Sequence, residues 1–144
     1  MLNAITHMQV WVLDQDEALE FYVGRLGLEV HTDADVGDMR WLTVNVPGKR
    51  ETEIMLLLPG PPALDPETAE QVRELITKGA VSAIIFRTDD CRATYERLRD
   101  RGVEFTQEPV ERFYGIDCAL RDPFGNPIRI SEPAPEPHVV PSGT

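Results

Sequence analysis

Side chains able to bind a planar organic molecule recur at alternate positions of strand-like segments. His7, Gln9 and Trp11 alternate in the first such segment, and Trp41 and Thr43 alternate in a later one. Alternate residues of a β-strand project from the same face of a sheet, so each set forms a polar and aromatic face. Indole rings stack on planar molecules, and guanidinium groups pair with anions. The pattern favours recognition of an aromatic compound with polar or anionic groups.

The same alternation, carried through the predicted strands, gives a larger candidate face. Its members are His7, Gln9, Trp11, Trp41, Thr43, Asn45, Met55, Leu57, Ala83, Ile85, Arg87, Asp117, Ala119, Arg121, Arg129 and Ser131. The intervening positions are apolar and predict a core beneath the helices: Val10, Val12, Leu42, Val44, Ile54, Leu56, Ile84, Phe86, Cys118, Leu120, Ile128 and Ile130. The two tryptophans admit a second interpretation, in which they plug a shallow concavity or cover a subunit interface.

An aromatic pair is expected at the rim of this face. Phe113 and Tyr114 lie within the segment ERFYG at 111–115, which precedes a predicted strand and is expected to form a loop. Loops positioned by a rigid scaffold commonly contribute to binding. The pair could cover a ligand or pack on another chain, and composition favours neither role.

One helix-and-strand unit occurs twice and organises the chain. Residues 14–30 read DQDEALEFYVGRLGLEV, and residues 89–105 read DDCRATYERLRDRGVEF, at an offset of 75. Asp14 and Glu17 form a capping box, and Gly27 is a suitable helix end. Strands at 5–13, 28–33, 39–46 and 53–58 complete a βαβββ module. The second module repeats this order, with strands at 81–88, 103–107, 115–121 and 127–131 and a helix at 90–101. A ligand is expected in the concavity between the halves.

The chain of 144 residues with 42% hydrophobic content suits a single domain. We predict a domain over 1–132, with module 1 at about 5–58, a connector helix within 59–79 and module 2 at about 80–132. Residues 133–144 are proline-rich without apolar periodicity, which predicts a flexible tail or an arm laid over a neighbour.

Charge and hydropathy exclude several partners. The net charge of −11 repels phosphate backbones, so nucleic acid is not expected as a partner. The apolar runs are strand-sized, which predicts no membrane segment. Because the N-terminus lacks the features of a signal peptide and the two cysteines lack CxxC spacing, a reducing cytoplasm is the expected location.

The segment ALEFYVGRLGLEV at 18–30, the turn RDPFGNPI at 121–128 and the internal repeat together resemble the vicinal oxygen chelate superfamily. This superfamily includes glyoxalase I, bleomycin-resistance proteins and extradiol dioxygenases, and the likeness spans about residues 5–132. It implies an α+β fold in which two tandem βαβββ modules form a cupped, mixed eight-stranded sheet with the helices outside. It also implies a homodimer. The DPFGN residues are turn formers, so we expect them to serve geometry rather than catalysis.

Enzymes of this superfamily hold a divalent metal with His, Glu or Gln side chains from the first and fourth strands of each module. Only His7 falls on such a position, while Met55, Ala83 and Arg129 fall on the other three. Met and Ala cannot bind a hard or borderline divalent ion, and a guanidinium repels one. We therefore expect neither a metal nor another cofactor.

Three functions remain open. The first is metal-independent binding of an aromatic or polycyclic compound, as in antibiotic sequestration. Its expected ligand-binding residues are His7, Gln9, Trp11, Trp41, Thr43, Met55, Arg87, Phe113, Tyr114, Asp117 and Arg129. The second is a metal-dependent lyase, isomerase or dioxygenase that uses His7 with displaced carboxylates, for which the candidates are Glu53, Asp117 and Glu132. The third is a metal-free enzyme in which His7 or Asp117 acts as general base beside Arg129 or Arg121.

Overall fold

The computed structural model describes residues 1–135 and shows two four-stranded mixed sheets with three helices. The elements are β1 (His7–Trp11), α1 (Gln15–Leu19), β2 (Glu29–Asp35), β3 (Arg40–Asn45), β4 (Glu53–Leu57), α2 (Pro66–Thr77), β5 (Ile84–Arg87), α3 (Cys91–Asp100), β6 (Phe105–Arg112), β7 (Gly115–Arg121) and β8 (Pro127–Pro133). This order confirms the predicted tandem βαβββ modules.

The two sheets have the same topology. The first has the order β1-β4-β3-β2, and the second has the order β5-β8-β7-β6. In each sheet the first strand of the module runs parallel to the fourth, and the other neighbours are antiparallel. The described residues form two compact units, which we call unit 1 (residues 1–83 with 122–126) and unit 2 (residues 84–121 with 127–135).

The first helix begins as predicted but does not continue as a regular α-helix. The side chain of Asp14 accepts a hydrogen bond from the backbone N–H of Glu17 at 2.8 Å. After α1 the chain forms a π-helical segment (Glu20–Arg25), in which the N–H of Leu26 bonds to the carbonyl of Phe21 five residues back. Phe21 and its neighbour Tyr22 are both buried there and pack edge to face. A wide turn accommodates these two adjacent aromatic rings on the core side.

The predicted core positions are buried with two exceptions. The buried members are Val10, Val12, Leu42, Val44, Ile54 and Leu56 in unit 1 and Cys118, Leu120, Ile128 and Ile130 in unit 2. Ile84 and Phe86 stay partly exposed. Both lie on β5, an edge strand of its sheet, and therefore have a neighbouring strand on one side only.

The turn 122–126 belongs to unit 1, although the sequence places it within the second module. One carboxylate oxygen of Asp122 accepts the backbone N–H groups of Phe124, Gly125 and Asn126, each at 2.9 Å. The other oxygen accepts the hydroxyl of buried Tyr22 at 2.7 Å. Burial, together with the charge and hydrogen bond of Asp122, raises the pKa of Tyr22. The turn therefore has a structural role.

Several element boundaries differ from those predicted. Strand β6 runs to Arg112, so the expected rim loop shrinks to a two-residue hairpin turn at Phe113 and Tyr114. Strand β8 includes Pro133, the first residue of the predicted tail, and residues 136–144 of that tail lie outside the described part of the chain. None of the helices within residues 1–135 has the length and apolar character needed to cross a membrane.

Candidate functional site

In unit 1, polar side chains from all four strands form a connected row. His7 on β1 lies opposite Glu53 on β4 in the strand register. The Oε2 atom of Glu53 is 3.0 Å from Nε2 of His7. Its Oε1 atom accepts the hydroxyl of Thr43 on β3 at 2.8 Å and lies 3.1 Å from Nδ1 of His31 on β2. The carboxylate of Glu53 is thus held between two imidazoles. We call these four residues the unit 1 polar row.

A β-bulge in β2 contributes to this arrangement. The register with β3 shifts between Val30 and Thr32, so His31 is the extra residue. Two residues of β2 therefore face one residue of β3, the partner Thr43. The ring nitrogen Nδ1 of His31 also lies 2.9 Å from the hydroxyl of Thr32. These contacts fix the orientation of the His31 ring.

Each histidine of the unit 1 polar row directs one ring nitrogen toward Glu53. Nε2 of His7 lies 3.0 Å from one carboxylate oxygen, and Nδ1 of His31 lies 3.1 Å from the other. The remaining nitrogen of His7, Nδ1, is 2.9 Å from the hydroxyl of Thr6. The remaining nitrogen of His31, Nε2, has no hydrogen-bond partner within residues 1–135.

The predicted aromatic residues of unit 1 are partly exposed. The ring of Trp41 lies 6.1 Å from that of His7, centroid to centroid, with the planes tilted by 56°. Trp11 pairs with Leu57 in the β1–β4 register, and its carbonyl accepts the side-chain amide of Asn126 at 2.8 Å. Trp41 is therefore the indole adjoining the unit 1 polar row.

In unit 2, polar groups converge on one buried carboxylate. Asp117 is 2% exposed, and its Oδ2 atom accepts the hydroxyl of Tyr114 at 2.6 Å and Nη1 of Arg129 at 3.0 Å. Its Oδ1 atom accepts the side-chain amide of Gln107 at 3.2 Å and lies 3.5 Å from Nε of Arg112. We call these five residues the Asp117 cluster.

The Asp117 cluster carries surplus positive charge. Burial alone would raise the pKa of Asp117, but the hydrogen bonds of Tyr114 and Gln107 and the charges of Arg129 and Arg112 hold that pKa below its usual range. An aspartate held ionised in this way is a poor general base. Arg129 and Arg112 share one carboxylate, and their side chains stay 46% and 42% exposed respectively. They can therefore still bind an anion from outside.

Other predicted site residues take different positions. Thr43, Asn45 and Asp117 were expected on a wet face but are buried, and each makes a hydrogen bond with a side chain from the same sheet or from the turn that joins two of its strands. Phe113 is 70% exposed and packs edge to face on Tyr114.

The remaining predicted ligand-binding residues lie on the strands that were expected to carry them. Gln9 and Arg87 are exposed on β1 and β5, and Met55 is partly exposed on β4, where it pairs with Gln9 and Thr43.

Four site residues were absent from the predicted face or entered it only as alternatives. His31 on β2 and Gln107 and Arg112 on β6 lie on strands that the alternation did not include. Glu53 appeared only among the displaced carboxylates. Strand alternation could have indicated two of these residues. Glu53 precedes Met55 by two residues and His31 follows Glu29 by two, so each pair projects from one face of its strand.

The described residues do not fit the four-ligand metal site that the fold resemblance implies. Glu53 rather than Met55 faces His7. In the second module Arg129 pairs with Ile85, and its guanidinium is bound to Asp117. Within residues 1–135 no group of three His, Cys, Asp or Glu side chains is arranged to hold a metal ion.

The two cysteines offer no nucleophile. Cys91 and Cys118 are fully buried, and their sulfur atoms lie 3.6 Å apart. Burial raises the pKa of both thiols, that of Cys118 to about 12. Because the thiolate is the reactive form, both residues act as core side chains.

Comparisons with known proteins agree with the fold. The sequence model of the Glyoxalase/Bleomycin resistance protein/Dioxygenase superfamily matches residues 4–130. The uncharacterized protein YurT of Bacillus subtilis (strain 168) is 33% identical over 121 residues, which cover 84% of this chain and 92% of YurT. The crystal structure of UcmS2 superposes with a TM-score of 0.86 and 42% identity, covering 92% of this chain and 99% of UcmS2. TnmS3, an antibiotic binding protein from Streptomyces sp. CB03234, superposes with a TM-score of 0.74 and 28% identity, covering 92% and 98%.

Proposed function

The chain belongs to the glyoxalase/bleomycin resistance protein/dioxygenase superfamily, and from this membership we propose that it is a metal-independent protein that binds an aromatic or polycyclic compound. Antibiotic sequestration is the role that we propose for this binding. The similarity to TnmS3, an antibiotic binding protein, supports small-molecule binding. The proposal also assigns the compound an anionic group.

The observation that carries the proposal is the Asp117 cluster. A buried carboxylate orients two guanidinium groups that are nearly half exposed. Tyr114 and Gln107 occupy the carboxylate as well, so the arginines are held in place by a network rather than by one ion pair. A prearranged pair of cations favours a carboxylate or phenolate oxygen, because little side-chain ordering is left to occur on binding. In the same unit Phe113 is 70% exposed and packs on Tyr114, so an aromatic ring able to stack on a planar ligand adjoins the cluster.

Tryptophan fluorescence tests the proposal with two matched compounds, anthraquinone-2-carboxylate and unsubstituted anthraquinone. We expect both to quench the fluorescence, the carboxylate with micromolar or better affinity. Arg129→Ala should weaken the carboxylate by about 1.5–3 kcal/mol, the scale of a charge-assisted hydrogen bond, and leave anthraquinone nearly unchanged. Phe113→Ala should weaken both, because stacking does not depend on ligand charge.

Arg97→Ala, on the exposed surface of α3, is the matched control and should change neither affinity. Unchanged fluorescence across a broad set of aromatic compounds would contradict the proposal. Equal weakening of both anthraquinones by Arg129→Ala would contradict the anionic anchor.

A metal-dependent enzyme is the second candidate, and one observation favours it. Glu53 lies 3.0 Å from His7, so the first module does offer one His and one carboxylate side by side. Elemental analysis after purification with Ni, Zn, Mn and Fe available separates the candidates. Metal independence requires well under one equivalent of each metal and no glyoxalase activity on hemithioacetals. Stoichiometric metal that disappears in His7→Ala would establish the second candidate instead.

We further propose a homodimer. Edge strands β1 and β5 expose apolar side chains, among them Met8 at 47% and Ile85 at 72%. Unpaired edges with apolar side chains favour pairing with another chain. Light scattering at tens of micromolar should give twice the mass of one chain, and a monomeric mass would contradict the dimer.

A further inference from the structure

We propose that the bound compound carries two acidic groups and that Arg87 binds the second of them. This inference rests on the proposed function and deepens it, because it makes the ligand a dianion rather than a monoanion. The first acidic group is the one assigned above to Arg129 and Arg112 of the Asp117 cluster. All of these residues lie in unit 2.

Arg87 is a cation that the described residues leave unpaired. It is the last residue of β5, and its side chain is exposed. Its guanidinium group makes no hydrogen bond or ion pair with any of residues 1–135. An arginine side chain keeps its positive charge in proteins and presents several N–H donors. Arg87 can therefore bind an anion without giving up a contact within the described part of the chain.

The strand register places Arg87 beside the Asp117 cluster. Arg87 pairs with Ser131 on β8, and Ser131 pairs with Asp117 on β7, so the three residues form a row across the sheet. Arg129 precedes Ser131 by two residues and projects from the same face. Strands lie about 4.8 Å apart and two residues span about 6.6 Å, so the Cα atoms of Arg87 and Arg129 are about 8 Å apart. Two long arginine side chains at this spacing can reach neighbouring carboxylates on one ring.

Ser131 adds a hydrogen-bond donor between the two arginines. Its side chain is half-buried, and its hydroxyl has no hydrogen-bond partner among the described residues. A hydroxyl can donate to a carboxylate oxygen, so a group bound by Arg87 would also contact Ser131. The second acidic group would thus have two donors rather than one exposed cation.

The charge on this part of the sheet favours a dianion. Arg87, Arg112 and Arg129 contribute three positive charges, and Asp117 contributes one negative charge. Asp117 is ionised near neutral pH, because its neighbours hold its pKa below the usual range. Three positive charges less one negative charge leave two. A ligand with two acidic groups neutralises this surplus, whereas a ligand with one leaves a cation unpaired.

Two acidic side chains from the same strands point toward α3 and do not pair with these arginines. Glu132 on β8 accepts the backbone N–H of Cys91 at 3.0 Å, and Glu108 on β6 accepts the hydroxyl of Tyr95 at 3.4 Å. Cys91 and Tyr95 both belong to α3. The opposite face of the sheet therefore keeps its positive charge.

The net charge of the whole chain gives the opposite expectation for a ligand without such a site. The chain carries a net charge of −11, so it repels a dianion more strongly than a monoanion. Tighter binding of a dianion therefore requires a local cation that contacts its second acidic group.

Three matched compounds test the inference by isothermal titration calorimetry at about pH 8, where both carboxyl groups of the diacid are ionised. They are anthraquinone-2-carboxylate, anthraquinone-2,3-dicarboxylate and the 3-carboxamide of anthraquinone-2-carboxylate. The amide has nearly the size of the dicarboxylate but one negative charge fewer. The wild-type protein should bind the dicarboxylate about tenfold more tightly than either other compound. This is the lower end of the range for a charge-assisted hydrogen bond, because water screens the exposed Arg87.

The preference for the dicarboxylate should depend on Arg87. Arg87→Ala should reduce it to about twofold or less and leave the affinities for the other two compounds nearly unchanged. Arg87→Lys keeps the charge and should recover part of the preference. Arg97→Ala, on the exposed surface of α3, is the matched control and should keep the full preference. Because Arg87 is exposed and unpaired within residues 1–135, its replacement should leave folding intact.

The failures are distinguishable. If none of the three compounds binds the wild-type protein, the proposed function fails and this inference fails with it. If anthraquinone-2-carboxylate binds and the dicarboxylate binds no more tightly than the amide, only the second acidic group is overturned. A preference that persists in Arg87→Ala would overturn the role of Arg87. So would a preference that is lost in Arg121→Ala instead, since Arg121 is exposed on β7 four residues beyond Asp117.

Discussion

Replacing Asp117 by Asn should destabilise the folded protein, because two arginine side chains lose the anion to which they are bound. The substitution keeps the size of the side chain but removes the charge that two arginines share. Asp117 is 2% exposed and accepts hydrogen bonds from Tyr114, Gln107 and Arg129. After the change, the guanidinium groups of Arg129 and Arg112 lie close together with no anion between them.

The expected magnitude lies between two limits. Removing one partner of a fully buried ion pair costs about 3–5 kcal/mol, whereas exposed pairs contribute about 0–1 kcal/mol. Asp117 is buried, but both arginines are more than 40% exposed, so water screens their mutual repulsion. Asn also retains one acceptor oxygen for Tyr114 or an arginine. We therefore expect a loss of about 2 kcal/mol in the free energy of unfolding.

The effect should depend on pH in a defined direction. The pKa of Asp117 is lower in the folded protein than in the unfolded chain. Its contribution to stability is therefore fully present above the unfolded value of about 3.9 and is lost as the pH falls through the folded value. Asn does not titrate, so the stability difference between wild type and Asp117→Asn should stay constant from about pH 5 to 7 and narrow below about pH 4.

Urea unfolding followed by circular dichroism at several pH values measures both quantities. Asp38→Asn, at an exposed turn position between β2 and β3, is the control and should stay within about 0.5 kcal/mol of wild type. A loss of under about 0.5 kcal/mol in Asp117→Asn, or a difference that widens in acid, would refute the account of the Asp117 cluster.

Three further substitutions, Tyr22→Phe, Gly125→Ala and Gly24→Ala, test the turn at 122–126 and the π-helical segment. Tyr22→Phe removes the hydroxyl that binds buried Asp122 and should lower the free energy of unfolding in urea by about 1–3 kcal/mol. Tyr95→Phe is the control and should be nearly neutral, because the Tyr95 hydroxyl makes an exposed contact of 3.4 Å with Glu108. Equal losses in the two variants would contradict this account. Gly125→Ala should cost at least about 2 kcal/mol, because Gly125 has a φ of +118° and an added Cβ would lie 2.6 Å from a backbone oxygen. Gly24→Ala meets nothing within 4 Å and should be neutral or stabilising by up to about 1 kcal/mol, so similar losses at both glycines would refute the argument.

Much of the fold could be predicted from the sequence because local signals agree with one another. The capping residue Asp14 and the alternation of Val10 and Val12 predict the first strand and helix, and the repeat extends this order to the second module. The π-helical turn could not be predicted in the same way. The apolar positions of that helix fit a regular period, and the burial of both Phe21 and Tyr22 depends on contacts distant in sequence.

The candidate site was predicted less completely, for a reason that lies in strand composition. Alternation was followed on the strands with clear apolar patterns, which include the edge strands β1 and β5, whereas β2 and β6 were left out. β2 reads EVHTDAD and β6 reads FTQEPVER, so neither has a continuous set of apolar alternates from which its inward positions could be recognised. Those strands supply His31, Gln107 and Arg112, which complete the unit 1 polar row and the Asp117 cluster.

The internal repeat duplicates the backbone without duplicating the chemistry. In both sheets the first strand of the module pairs with the fourth, yet the two pairs carry different side chains. The β1–β4 pair places His7 opposite Glu53, whereas β8 carries Arg129, which is bound to Asp117 together with a second arginine. Shared topology therefore does not imply shared chemistry, because the side chains placed on each sheet, and not the strand order, determine which groups that sheet can bind.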